Sequence, residues 1–195
     1  MKTLKSILVL AVLISTIISC SKNDEEDELI LTVDPQYPLK ELIFNGEVEQ
    51  VYTYINKPFK LEVGYKFKTF KNGEITALGV RLPDNESYRV TLWNADTEEI
   101  LATQQVLSSA GILSFENIEA VQITSGTNYF VSVNTSDYYS FKNAESGEID
   151  IFPIESGDVL ITAYGNYVGV NQILPTTYSE SSYLGMVDIK FIPNN

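Results

Sequence analysis

Histidine is missing from this chain of 195 residues, cysteine and tryptophan occur once each, and basic residues number 13 against 26 acidic ones. The first absence excludes a Ser-His-Asp or Cys-His catalytic system and any zinc site built on histidine. Chemistry, if any, would rest on carboxylates, tyrosines or lysines. The shortage of basic groups leaves a net charge of −13, which repels phosphate backbones and argues against nucleic acid as a partner. No Asp-x-Asp-x-Asp-Gly calcium loop occurs, although sandwich loops can hold calcium through carbonyls and scattered carboxylates without one. Carboxylate pairs for glycoside hydrolysis can be picked from so many acids, but sequence does not set their separation in space, so none is singled out. Neither an internal repeat nor a cofactor motif is present, and the expectation is a non-enzyme without cofactor or metal.

A long hydrophobic run is lacking too. Leu4 to Ile18 falls short of the roughly 20 apolar residues that cross a bilayer, and Ser6, Ser15 and Thr16 interrupt it. What stands there instead is a basic start, Met1-Lys2-Thr3-Leu4-Lys5, an apolar stretch from Ile7, and the close Ile17-Ile18-Ser19-Cys20. That is the pattern of a secretion signal ending in a lipobox. A plain secretory signal would end in small residues and leave Cys20 as a reactive free thiol, whereas lipidation explains both its position and its solitude. Residues 1–19 are then removed and the protein begins at Cys20, a membrane partner through its lipid anchor. One acyl chain binds a membrane only marginally, so resemblance to bacterial lipoproteins implies several chains. Loss of Lys2 and Lys5 lowers the net charge by a further two.

Residues 20–28 carry Ser21-Lys22-Asn23-Asp24-Glu25-Glu26-Asp27-Glu28, which holds no hydrophobic residue to pack and reads as a solvated acidic tether. It is a spacer on the plainest reading. Cys20-Ser21 followed by clustered acids also resembles the lipoprotein export signal of Bacteroidota, which implies an outer-membrane protein facing the cell exterior, with the periplasmic face as the alternative.

From Phe59 onward the chain reads as strand after strand, and residues 29–195 are expected to form one all-β domain. Phe59, Leu61, Val63, Tyr65 and Phe67 alternate with Lys60, Glu62, Gly64, Lys66 and Lys68, which predicts one apolar face inward and a charged face in water. Asn72-Gly73 has the composition of a two-residue hairpin turn. Strands are expected over Ile75 to Leu82, Tyr88 to Ala95, Ile100 to Val106, Phe115 to Ile123, Tyr129 to Val133, Ile149 to Ile154, Val159 to Tyr164 and Gly185 to Ile192. Leu29 to Val33 and Leu39 to Ile55 are less regular, either an added strand pair or an edge strand with a loop. Turn spacing and prolines near strand ends predict a single antiparallel β-sandwich, jelly-roll-like in topology.

Within this region, Gly73 to Arg81, Tyr88 to Asp96, Ile100 to Thr103 and Ile123 to Val133 resemble, in order, the successive blocks of the domain of unknown function 4082 family, over about residues 59–145. One block departs: Ser108-Ser109-Ala110-Gly111-Ile112-Leu113 stands where the family has an aromatic-containing segment. The resemblance implies a β-sandwich in a secreted or surface protein, a binding role near polysaccharide, and no catalytic residues.

Candidate ligand contacts are aromatic. Trp93 shares parity with Arg89 and Thr91, which turns it away from Val90 and Leu92 and offers its indole to a sugar ring; a lone tryptophan in a β domain also commonly packs. Tyr138 and Tyr139 are neighbours in an extended segment, so at least one faces outward. Tyr164 and Tyr167 flank Gly165-Asn166, and loop tyrosines are common both as binding devices and as sheet surface. Lys57, Lys60, Lys66, Lys68 and Lys71 suit either acidic polysaccharide or, more simply, protection of a sheet edge. The functional expectation is a non-catalytic surface lipoprotein binding carbohydrate. The alternative is a structural or protein-interaction subunit, or an adhesin, within a surface complex. Fatty-acid labelling in a bacterial host tests the anchor: label enters the wild type and is lost in Cys20→Ala, and equal label in both contradicts it.

Overall fold

The alternation read at Phe59 becomes a strand because Val63, Tyr65 and Phe67 bury fully on one face, each contributing roughly 1.5–3 kcal/mol of transfer free energy. The computed structural model describes residues 33–149, 151–180 and 183–195; the expected signal peptide, Cys20 and the tether lie outside the described residues. In chain order the elements are α1 (Pro38–Phe44), β1 (Val48–Tyr54), β2 (Leu61–Thr69), β3 (Gly73–Val80), β4 (Ser87–Asn94), β5 (Glu99–Leu107), β6 (Ser114–Ile123), β7 (Tyr129–Thr135), β8 (Tyr138–Asn143), β9 (Ile154–Ser156), β10 (Val159–Val168), β11 (Thr177–Ser179) and β12 (Val187–Pro193).

These strands form an all-β antiparallel sandwich. The larger sheet runs β11-β10-β2-β7-β4-β5, with β9 also on β10; the facing sheet runs β12-β3-β6, and β1 pairs with β8 in a separate ribbon. The chain passes between sheets from β2 to β3, β3 to β4, β5 to β6 and β6 to β7, so the topology is jelly-roll-like rather than a series of hairpins. One core joins the two sheets, with Val63, Phe67, Leu92 and Val131 of the larger packed against Ile75, Leu78, Ile189 and Phe191 of the smaller. Backbones approach closely where β2 meets β7. A Cβ placed on Gly64 would lie 1.8 Å from the Val131 carbonyl oxygen, so only glycine fits.

Several expectations are corrected. Asn72-Gly73 makes no hairpin: β2 pairs with β10 and β7, not β3, and Gly73 is a strand residue whose missing Cβ makes room for the Ile192 carbonyl and the Phe191 ring. The β2 lysines guard no edge, since β2 is interior. Nor is the second face of β2 simply wet, because Glu62 on it is fully buried. Of the strand expected over Ile149 to Ile154, residues 149 and 151–153 are not strand, and only Ile154 is, as the first residue of β9. The irregular stretch 39–55 holds a helix as well as a strand.

That helix exists because of a residue far along the chain. Pro38 suits its first turn, while Asp188 on β12 accepts the amides of Leu39 at 3.0 Å, Lys40 at 3.1 Å and Ile189 at 2.9 Å. Gln36 and Phe191 exchange two backbone hydrogen bonds, at 2.7 and 2.9 Å, and tie the same segment to the outer edge of β12. Asp188 is fully buried, and desolvation outweighs its three amide donors, raising its pKa from 3.8 to about 7. A carboxyl that holds its proton more firmly when folded stabilises most below about pH 4, and that contribution is lost as pH rises through 7. Stability of the wild type measured against Asp188→Asn should therefore fall between pH 4 and 7, by up to about 4 kcal/mol. Urea unfolding across that range checks it, and a flat difference contradicts it.

Candidate functional site

Two faces of the β1–β8 ribbon sort its tyrosines. The register pairs Tyr54 with Tyr138, Thr53 with Tyr139 and Tyr52 with Ser140, with a bulge at Val51. Cross-strand partners share a face and neighbours alternate, so Tyr52, Tyr54, Tyr138 and Ser140 stand on one side and Tyr139 on the other. The Tyr54 and Tyr138 rings lie 4.7 Å apart and those of Tyr52 and Tyr54 lie 6.1 Å apart. Tyr164 from β10 and Tyr183 complete a cleft of about 370 Å³ whose other lining residues are Val51, Ser140, Phe141, Ile149 and Leu184, with no charged side chain among them. Lys57 stands beside it, its Nζ 4.6 Å from the centre of the Tyr54 ring, a cation–π contact.

The chemistry available here is stacking and hydrogen bonding. Tyr52 is 62% exposed and offers its ring to solvent. Burial, and then the neighbouring Tyr54, raises the pKa of Tyr138; burial, and then Tyr138, raises that of Tyr164. Both phenols therefore stay protonated as donors. Ser140 Oγ and the Tyr183 hydroxyl are buried without a hydrogen-bond partner among the described residues. A larger groove of about 490 Å³ runs between β5 and β6, but polar and aliphatic residues line it and no aromatic ring does.

Of the five aromatics expected to meet a ligand, the structure brings together Tyr138 and Tyr164. Tyr139 is buried on the other face, beneath the Arg81 guanidinium at 4.5 Å from its ring centre. Tyr167 is partly buried, on the face of β10 opposite Tyr164, with its ring against Gly169. Trp93 is only 3% exposed. Its indole N–H donates to Ser132 Oγ at 2.9 Å, Ser132 Oγ donates to Glu62 Oε1 at 2.6 Å, and Arg89 bonds Glu62 Oε2 at 2.7 Å.

Sequence parity turned Trp93 away from the main core, as observed, but the outer face is not open. Residues 169–174 lie across it: Asn134 donates to the Gly169 carbonyl at 2.9 Å, Gln172 donates to Thr91 at 3.0 Å and Thr103 at 2.7 Å, and Leu174 packs with Trp93 and Phe130. Desolvation raises the Glu62 pKa, opposed by hydrogen bonds from Ser132 and Arg89. Tyr52 and Tyr54 were missed. Their signal, Tyr52-x-Tyr54 at strand spacing, stood in the stretch that lacked regular alternation.

Residues 49–184 match the family model described as domain of unknown function (DUF4082). The matched span is longer than the resemblance read from the blocks and contains every residue lining the tyrosine cleft, while α1 and β12 fall outside it. A comparison with curated proteins gives no match. Because Trp93 is a packing residue, Trp93→Ala should lower stability by about 3–5 kcal/mol. Urea unfolding measures this, and a loss below about 1 kcal/mol would contradict the packing role.

Proposed function

The chain belongs to the DUF4082 family, and we propose that in this member the tyrosine cleft binds neutral carbohydrate without catalysis. The observation that carries the reading is the uncharged lining, with four tyrosines converging from β1, β8 and β10. An aromatic face stacks on the apolar face of a sugar ring while phenol and hydroxyl groups meet its hydroxyls, and the volume suits a short saccharide. Acidic saccharides are disfavoured by the net charge of −13, which Lys57 beside the Tyr54 ring offsets only locally. The lining holds no carboxylate, so it offers no acid–base pair for glycosidic cleavage. With the anchor expected at Cys20, the domain is a lipoprotein displaying this cleft on the outside of a Bacteroidota-type outer membrane. A protein partner is the second reading, favoured by the exposed apolar residues Val51 and Ile149 in the lining.

Titration calorimetry of residues 29–195 against neutral and acidic glycans tests the proposal. At least one neutral glycan should bind, and Tyr54→Ala and Tyr138→Ala should each weaken it about tenfold, equivalent to about 1.4 kcal/mol, with circular dichroism unchanged. Binding of acidic glycans alone, or binding indifferent to both replacements, would overturn the assignment.

A further inference from the structure

Among the described residues, the most exposed large apolar side chain is Phe44, 88% exposed at the end of α1. Leu39 and Leu42 bury fully on the packed face of that helix, which leaves Phe44 outside it. Lys40, Ile43, Phe44, Arg81 and Leu113 line an open hollow of about 240 Å³, and Ile112 next to Leu113 is 65% exposed. Two cations and no carboxylate belong to this lining, a local exception on a chain of net charge −13. Neither cation is in an ion pair among the described residues. Glu41 of the same helix is engaged elsewhere, accepting from the Tyr37 amide and from Ser156 Oγ at 2.9 Å each.

Apolar side chains exposed singly are ordinary, but gathered around one hollow and rimmed by cations they mark a docking surface. An apolar tip with Lys and Arg beside it suits a lipid interface, where the tip enters the boundary below the headgroups and the cations meet phosphates. Position in the chain favours the same occupant. Thirteen peptide links separate Cys20 from Val33, a span of at most about 45 Å. Five more residues lead to Pro38, and α1 itself is about 10 Å long, so Phe44 lies no more than about 28 Å from Val33. The patch is therefore within reach of a surface that holds Cys20.

We propose that this patch rests on the phospholipid surface, with Phe44 and Ile112 entering the headgroup boundary and Lys40 and Arg81 meeting lipid phosphates. Only the delivery of the domain to that surface rests on the anchor reading. Orientation is the consequence. Arg81 lies over Tyr139, on the ribbon face opposite Tyr54 and Tyr138, so a domain seated on the patch turns the tyrosine cleft away from the lipid.

Coupling the Cys20 thiol of residues 20–195 to a maleimide-bearing lipid supplies the anchor chemically, whatever modification Cys20 receives in a cell. In vesicles of phosphatidylcholine with brominated acyl chains, a tryptophan that enters the bilayer is quenched, and Trp93, 3% exposed, is a constant background. Phe44→Trp and Tyr52→Trp place reporters on the patch and in the cleft, both at exposed positions. The expected result is a blue shift and a loss of about half the added emission for Phe44→Trp, none for Tyr52→Trp, and recovery when Lys40→Gln and Ile112→Glu are added to Phe44→Trp, with unfolding midpoints unchanged. Equal quenching at both positions, or none at Phe44→Trp, overturns the proposal. So does a Phe44→Trp blue shift that grows with chain concentration in the absence of lipid, which would assign the patch to a second copy. Failure of fatty-acid labelling at Cys20 would overturn the anchor reading and leave this result standing.

Discussion

The pairing of Tyr54 with Tyr138 in the β1–β8 ribbon sets everything that the cleft contains. Strand side chains alternate, so a slip of β1 by one residue along β8 would carry Tyr54 to the opposite face and leave Thr53 beside Tyr138 in the cleft. The register is held at both ends. At one, the Asn56 amide donates to Asp137 Oδ1 at 2.5 Å; at the other, Ala144 donates to the Glu47 carbonyl at 2.9 Å. On the far face Arg81 lies over Tyr139 and Phe141 and bonds Gln50 at 2.9 Å. Between them the bulge at Val51 absorbs the extra residue, as bulges near functional surfaces often do.

A second constraint explains why the outer face of the larger sheet around Trp93 is not a binding platform. Glu62 and Arg89 sit there beneath residues 169–174, with Ser132 linking the carboxylate to Trp93. Removing one partner of such a pair leaves an uncompensated buried charge, at a cost of about 3–5 kcal/mol. The segment turns backbone carbonyls inward to Asn134 and Arg89 while Val168 and Val170 beside it point outward. Polar groups therefore fasten the cover, and Trp93 serves as part of its seat.

What was legible in the sequence depended on how locally each feature is determined. β2, β4, β7 and β10 could be read because β-branched and aromatic residues fill them at strand spacing, and the sandwich class followed. Helix α1 could not, because the carboxylate that caps it, Asp188, lies about 150 residues away. Asn72-Gly73 misled because a turn composition says nothing about which strands will pair, and Gly73 answers a packing demand instead. Trp93 misled for a related reason: parity reports the face, and a distant segment decides whether that face is wet. At the cleft, Tyr138 and Tyr164 could be named but not joined, since only the sheet brings β8 and β10 to the same place as β1.

The central claim is that ligand enters between the ribbon tyrosines and leaves the covered face alone. Nuclear magnetic resonance of residues 29–195 with labelled tyrosine and tryptophan rings, titrated with a neutral oligosaccharide, tests it most directly. The account predicts that the ring signals of Tyr52, Tyr54 and Tyr138 shift while the single Trp93 indole N–H, held to Ser132, does not. A shift at Trp93 with the three tyrosines unmoved would contradict it.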